Sequence, residues 1–461
     1  MIIFFVMILL LVVFILLDDD SAIAQTEPPT EGDWIISDIT LKTETSISLN
    51  GSIIVLEGGT LTLDNIRINF NCEWDGQYGI NIHTGGKLNL YDSNIEPDNY
   101  QYSFKFEVYG SMDMNNSSVY YLWGGDFSKL DVRIGGIMVF SDDVKILNST
   151  ISRTYGDGIT CIKSSPTIMY NTIKNAGDDG ISCNFSSPKI IGNLIEDNHL
   201  GIYIYNDSAP LVRNNNIKRT TYDYFSKGIS ITHSNRMIIE NNTINNFYHG
   251  IRIKHSSPYA IYNNSLIDCG LNSLNSSPKI SNILIDGADY GVYCDDYSNV
   301  TILDSKIINS GQYDIYLYTN SHSIVTLINT SVDKVFITQG SSIISKWYVH
   351  VNVQESSGNI VSNAKITVKD LNDHILEHFY FTDATGWVYK IVCTESIQYS
   401  NSEIRYTPHT ICANKNGTGS NITIEEINDN KWLILVLQPD SDGDWIPDTQ
   451  DAFPNDPFEW L

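Results

Sequence analysis

Basic residues are scarce in this chain. Across 461 residues, 28 Lys and Arg stand against 54 Asp and Glu, a formal charge of 28 − 54 = −26. So acidic a surface repels phosphate backbones, which excludes nucleic acid as a partner; it suits solubility, cations and a salty exterior. Cysteine is also sparse: seven in so long a chain do not make a disulfide scaffold. The ten histidines are scattered, with no zinc-ligand spacing. There is no phosphate-cradling Gly-rich loop ending in Lys-Ser/Thr and no Gly-x-Ser-x-Gly elbow. Long apolar runs are missing too. The one candidate, Ile2 to Leu17, is shorter than the ~20 residues a spanning helix needs. Ala22-Ile-Ala24 follows it as a small-residue cleavage pattern, so residues 1–24 read as a secretory signal peptide. No Lys or Arg precedes the run, and a retained N-terminal anchor is the alternative. Membrane contact is expected only through that segment left uncleaved.

What the chain does have is a repeat of about 22 residues. "GIMVFSDDVKILNSTI" begins at Gly136, "GITCIKSSPTIMYNTI" at Gly158 and "GISCNFSSPKIIGNLI" at Gly180. Further copies begin at Gly201, Gly228 and Gly250, with weaker ones at Gly270, Gly291 and Asp314. The spacings of 22, 22, 21, 27, 22, 20, 21 and 23 keep the period through one insertion, "RTTYDYFSK", before Gly228. Self-similarity at this period marks a solenoid. Each unit carries Gly-Ile-x-Ile, a Ser-Ser-Pro break, a second apolar piece and Asn-x-Ile. These short runs of period two, with no helical period and no Leu-x-x-Leu-x-Leu frame, predict strands separated by turns.

The predicted fold is all-β: a right-handed, single-stranded parallel β-helix over residues 35–345, of about thirteen coils. Ile one and three residues after each Gly points inward. Gly suits a bend where a Cβ would crowd the next coil. Asn171, Asn193, Asn215, Asn242 and Asn264 recur at one position and are expected to form an Asn ladder. Cys161 and Cys183 share the inward slot three residues after Gly, with Cys294 there later; they read as small core residues, an oxidised pair remaining open.

These units resemble the right-handed β-helix repeat proteins, including the carbohydrate-binding and sugar-hydrolase group and the NosD-like periplasmic proteins. The carrying residues are the Gly-Ile-x-Ile…Ser-Ser-Pro…Asn-x-Ile units from Gly136 to Ile307. The resemblance fixes the fold far more tightly than any activity. The copper-site role of NosD-like proteins needs a His/Met/Cys cluster, which this chain does not show.

From Lys346 the period stops. "KWYVHVNVQESSGNIVSNAKITVKD" and "FTDATGWVYKIVC" are longer alternating strands, predicting a small β-sandwich over residues 346–439. It resembles carboxypeptidase-regulatory or transthyretin-like modules through Gly358 to Val368 and Thr382 to Gly386. Cys393 and Cys412 are its only cysteines, and a disulfide between them is expected on export. The acidic tail, 440–461, places Asp440, Asp442, Asp444, Asp448 and Asp451 around Gly443. Alternating hard oxygens about a glycine suit Ca²⁺. The pattern resembles a thrombospondin type 3 repeat, of which only one unit is present, so the tail reads as truncated. Sequons at Asn50, Asn115, Asn148, Asn206, Asn299 and Asn421 make this a candidate glycoprotein.

Two sites compete for the function. Polygalacturonase-type hydrolases share the β-helix and use acids on one strand face, so the resemblance implies catalytic candidates Asp157, Asp178, Asp179 and His199. Inverting hydrolysis needs two carboxyls with room for water, and adjacent coils can supply them. The same acids also suit the turn before Gly. The binding candidate is the outward row two residues after Gly, especially Tyr203, Arg252, Tyr293 and Tyr316, which can stack on and hydrogen-bond sugars. The reading is a secreted or cell-surface protein with a structural or adhesive role and a glycan or cell-surface partner. A polysaccharide hydrolase or lyase is the alternative.

Overall fold

The computed structural model describes residues 27–127, 132–318, 321–376, 379–444 and 446–456, so the expected signal peptide lies outside the described residues. The described residues are all β, with no helix among them, and hence no helix long and apolar enough to cross a membrane. The chain divides into two compact units, Met1–Thr220 and Thr221–Leu461.

In each unit the chain winds as a parallel β-solenoid with three strand faces per coil. The first face of the first unit runs from Trp34–Ile36 through Ile159–Ile162, Asp179–Asn184 and Leu200–Tyr205. It has eight strands; the second unit adds six, from Lys227–Thr232 to Val335–Phe336, against about thirteen coils expected. The repeat sets the register. Ile159 pairs with Ile181 and Cys161 with Cys183, and Ile181 then pairs with Ile202. All are fully buried, because alternate side chains of a strand enter the core. At Gly158 and Gly180 an added Cβ would stand 2.6 Å from a carbonyl oxygen of the next coil, so the bend admits no side chain.

The corner between the second and third faces explains the recurring Asn. Gly192, Asn214, Asn241 and Asn263 have φ of 68°, 56°, 55° and 56°, a left-handed turn that Gly and Asn tolerate. The next residue is the buried ladder Asn. Asn193 Nδ2 donates to the Ile168 carbonyl at 3.0 Å, while Asn193 Oδ1 accepts from the Asn171 backbone N–H at 2.9 Å. Asn264 does the same in the second unit, donating to Ile239 and accepting from Asn242. The ladder thus satisfies corner amides and carbonyls that water cannot reach.

Two departures from the repeat matter. In the first unit an antiparallel hairpin, Gly124–Phe127 with Val132–Gly135, interrupts the coil before Ile137–Val139. In the second unit the long strand Ser342–Gln354 begins beside Ile324–Ile328 in the solenoid. It then continues past Lys346, pairing with Trp387–Gln398 and Lys431–Val436. A further sheet contains Lys365–Lys369, His409–Lys415 and Gly419–Glu425. Val349, Val351, Ile366, Val368, Ile391 and Ile411 form a common apolar core between the two.

Candidate functional site

The acids of the first unit come together. Asp157, Asp178 and Asp179 each offer a carboxylate oxygen within 4.8 Å of the others. Asp157 and Asp179 hold the residue before Gly in successive coils, and the Asp179 N–H donates to Asp157 Oδ1 at 3.2 Å. The Thr160 hydroxyl lies 2.8 Å from both Asp157 Oδ2 and the Gly135 carbonyl oxygen, which belongs to the hairpin. Gly124, Gly135 and Gly156 meet backbone to backbone there, an approach no side chain would allow. As a result Asp157 is 1% exposed and Asp179 4%.

Burial, aided by the charge of Asp178, pushes the Asp157 carboxyl up to about 8. It is therefore protonated at neutral pH. Its proton completes the network: Thr160 donates to Gly135 and accepts from Asp157, whose other oxygen accepts from Asp179. The buried Tyr205 phenol beside these acids is likewise raised, chiefly by burial. Cys161 and Cys183 below them are free buried thiols, facing one another in register.

His199 meets the group through Asp178: its Nδ1 lies 3.4 Å from Asp178 Oδ1, on the half-exposed side, and not against the Asp157–Asp179 pair. Tyr203 stacks on Tyr205 at 4.5 Å in this unit. Of the outward row in this unit, Thr160 and Ser182 are fully buried, while Tyr203 is half-exposed.

In the second unit Ser230 and Asn272 of the same row are also buried, but Arg252, Tyr293 and Tyr316 are half-exposed and Phe336 is exposed. Ser230 pairs in register with Arg252, Arg252 with Asn272, Asn272 with Tyr293, Tyr293 with Tyr316 and Tyr316 with Phe336. Tyr293 and Tyr316 stack at 5.3 Å, and Tyr316 and Phe336 at 5.0 Å with an 11° interplanar angle. Tyr290 and Tyr313, from the row before Gly, close on Tyr316 at 4.9 and 5.7 Å. Arg252, Tyr293 and Tyr316 are thus brought onto one strip, while Tyr203 belongs to the first unit. Phe336 was missed because it follows the last recognisable repeat; Tyr290 and Tyr313 could have been found by aligning the slot that holds Asp157 and Asp179.

The acidic turn is a third cluster. Asp440, Asp442 and Asp444 place carboxylate oxygens within 4.8 Å of one another about Gly443, whose φ is +79°. One oxygen of each accepts a backbone N–H bond: Gly443 donates to Asp440, Asp444 to Asp442 and Ile446 to Asp444. Asp442 Oδ2, Asp444 Oδ2 and Asp451 Oδ2 are buried and receive no hydrogen bond among the described residues. Burial and the charges of Asp442, Asp451 and Asp440 raise the Asp444 carboxyl. Asp448 instead accepts from the Ser441 N–H and hydroxyl, both at 2.7 Å. Cys393 and Cys412 are buried free thiols on different sheets.

The family described as right handed beta helix region matches residues 51–217 and 200–336, more than half of the chain. No curated protein matches the sequence. Among solved structures, the periplasmic alginate epimerase AlgG is similar with TM-score 0.50 and 15% identity, over 63% of this chain and 78% of that one. A GH87 α-1,3-glucanase catalytic unit from Streptomyces thermodiastaticus gives 0.43 and 14%, over 68% and 65%. Tailspike protein 3 of bacteriophage CBA120 gives 0.39 and 10%, over 73% and 57%. At such identities the likeness concerns the fold.

Proposed function

The chain belongs to the right handed β-helix family, and on that scaffold we propose an exported, cell-surface or extracellular protein with a structural or adhesive role that binds glycans. The observation that carries this is the in-register stack Tyr293–Tyr316–Phe336 on the open face of the second unit. With the ring faces stacked on one another, the strip offers a sugar chain ring edges and the Tyr293 and Tyr316 hydroxyls at the coil repeat, which suit edge contacts and hydrogen bonds to successive sugars. Half-exposed Arg252 adds a hydrogen-bonding group on the same row. The alginate epimerase of similar fold is periplasmic and acts on a polysaccharide, which supports the ligand class. The charge of −26 favours a neutral polysaccharide over a polyuronate.

The alternative, a polysaccharide hydrolase or lyase, would use Asp157, Asp178, Asp179 and His199. A general acid must reach the bond it protonates. Asp157 and Asp179 are closed off by their own coils and the hairpin, which favours binding without turnover. A glycan array with the full chain, paired with a reducing-sugar assay, tests the choice. Binding without sugar release supports it; release that vanishes in Asp179→Asn overturns it.

Calcium is the ion that the acidic turn fits. Asp442, Asp444 and Asp451 would hold it with Asp440 beside them, since the buried oxygens that the first three leave without a donor among the described residues are what a cation demanding hard oxygen ligands recognises.

A further inference from the structure

The insertion that breaks the repeat has a place in the fold. It brings Tyr222 over the corners that precede three successive first-face strands of the second unit. There a cavity of about 160 Å³ opens, lined by Tyr222, His249, Asp268, Asp289, Tyr290 and Tyr293. Tyr222 meets Tyr224 edge-on at 5.2 Å, and Tyr248 backs His249 at 4.3 Å, so aromatic rings form the walls.

None of the polar groups lining the recess carries a positive charge. Asp268 and Asp289 are exposed at the rim and can only accept when ionised. No Lys or Arg lines the cavity. His249 is held neutral: burial first, then the charges of Arg252 and Lys227, lower it to about 3. A neutral imidazole offers one donor and one acceptor, and no charge. Tyr290 already donates its hydroxyl to Gln312 at 2.8 Å, which fixes the ring. Such a recess repels carboxylates and sulfates, and matches a ligand with many hydroxyl donors and an apolar face. Tyr293 lines the cavity and also begins the open aromatic stack.

We propose that this recess is a subsite for one uncharged pyranose ring, from which the bound polysaccharide continues over Tyr293 toward Tyr316 and Phe336. The proposal rests on the glycan-binding reading of the open face and narrows it to a ligand class and an entry point. Isothermal titration of the full chain with neutral oligosaccharides, oligouronates and glucosamine oligomers tests it. Tyr222→Ala and Asp289→Asn, each with a wild-type circular dichroism spectrum, should weaken neutral binding five- to tenfold. Saturation-transfer NMR on the unaltered protein should show one sugar ring receiving more tyrosine saturation than the rest. Oligouronates should bind at least tenfold more weakly than neutral chains. If Phe336→Ala weakens binding while both recess variants bind normally and saturation is uniform, the recess assignment is overturned and the open-face reading stands. Tighter binding of oligouronates or of glucosamine oligomers overturns the uncharged class. Failure of the folded protein to bind any of the three kinds of chain overturns both readings.

Discussion

Residues 157–182 of the first unit and 290–316 of the second place side chains at the same two repeat positions, before Gly and two after it, with opposite results. In the first, Asp157 with Thr160 and Asp179 with Ser182 are buried. In the second, Tyr290 with Tyr293 and Tyr313 with Tyr316 remain half-exposed. Direction from the solenoid axis is therefore not the same as access to water. Small polar side chains can be covered by a hairpin and by their own neighbours, and then bond to one another. Rings stacked at the coil spacing are too large to be covered that way. The scaffold is shared; what differs is which side chains it leaves wet.

The largest effects should fall on the shared scaffold and be equal in both regions. Asn193→Ala and Asn264→Ala each strand a buried carbonyl and a buried N–H, at a cost of about 3–5 kcal/mol. Urea melts of the two variants should shift alike; a large loss from only one would break the equivalence of the two ladders.

A smaller effect of opposite sign should appear only on the closed side. The folded Asp157 holds its proton up to about 8, whereas unfolded it titrates near 3.8. Its contribution is full below about 3.8 and is lost as pH rises toward about 8, at up to ~1.4 kcal/mol per pH unit. Asn at 157 can donate to Thr160 and accept from Asp179 without titrating. Asp157→Asn should therefore flatten the pH dependence of stability and stabilise the protein at pH 8, with little gain at pH 4. A variant less stable at pH 8 would mean that the ionised carboxylate is the native form.

The smallest effect concerns calcium, which should touch only the unit bearing the acidic turn. At tenfold over its dissociation constant it should add about 1.4 kcal/mol, read as protection of residues 440–451 from proteolysis. Asp442→Asn should abolish that protection, and protection that persists would move the ion elsewhere.

Much of this was legible in the sequence, for physical reasons. Gly-Ile-x-Ile and Asn-x-Ile are read easily because stacking forces the same residue into the same slot, so the inward Ile, the Gly bends and the Asn ladder all follow from spacing. Access was not legible. Gly124 to Gly135 looks like an interruption of the repeat, yet its backbone covers the row that includes Thr160. His199 sits two residues before its Gly, which aims it at Asp178 instead of the buried pair. Phe336 completes the aromatic stack from a strand of two residues, too short to announce itself.

The central claim is that the open strip of the second unit binds glycan and the closed acids of the first do not take part. Titration of the folded wild type, Tyr316→Ala and Asp179→Asn with one neutral polysaccharide found on the array tests it most directly. The account predicts about tenfold weaker binding for Tyr316→Ala and wild-type affinity for Asp179→Asn. Wild-type affinity for Tyr316→Ala together with lost affinity for Asp179→Asn would contradict it.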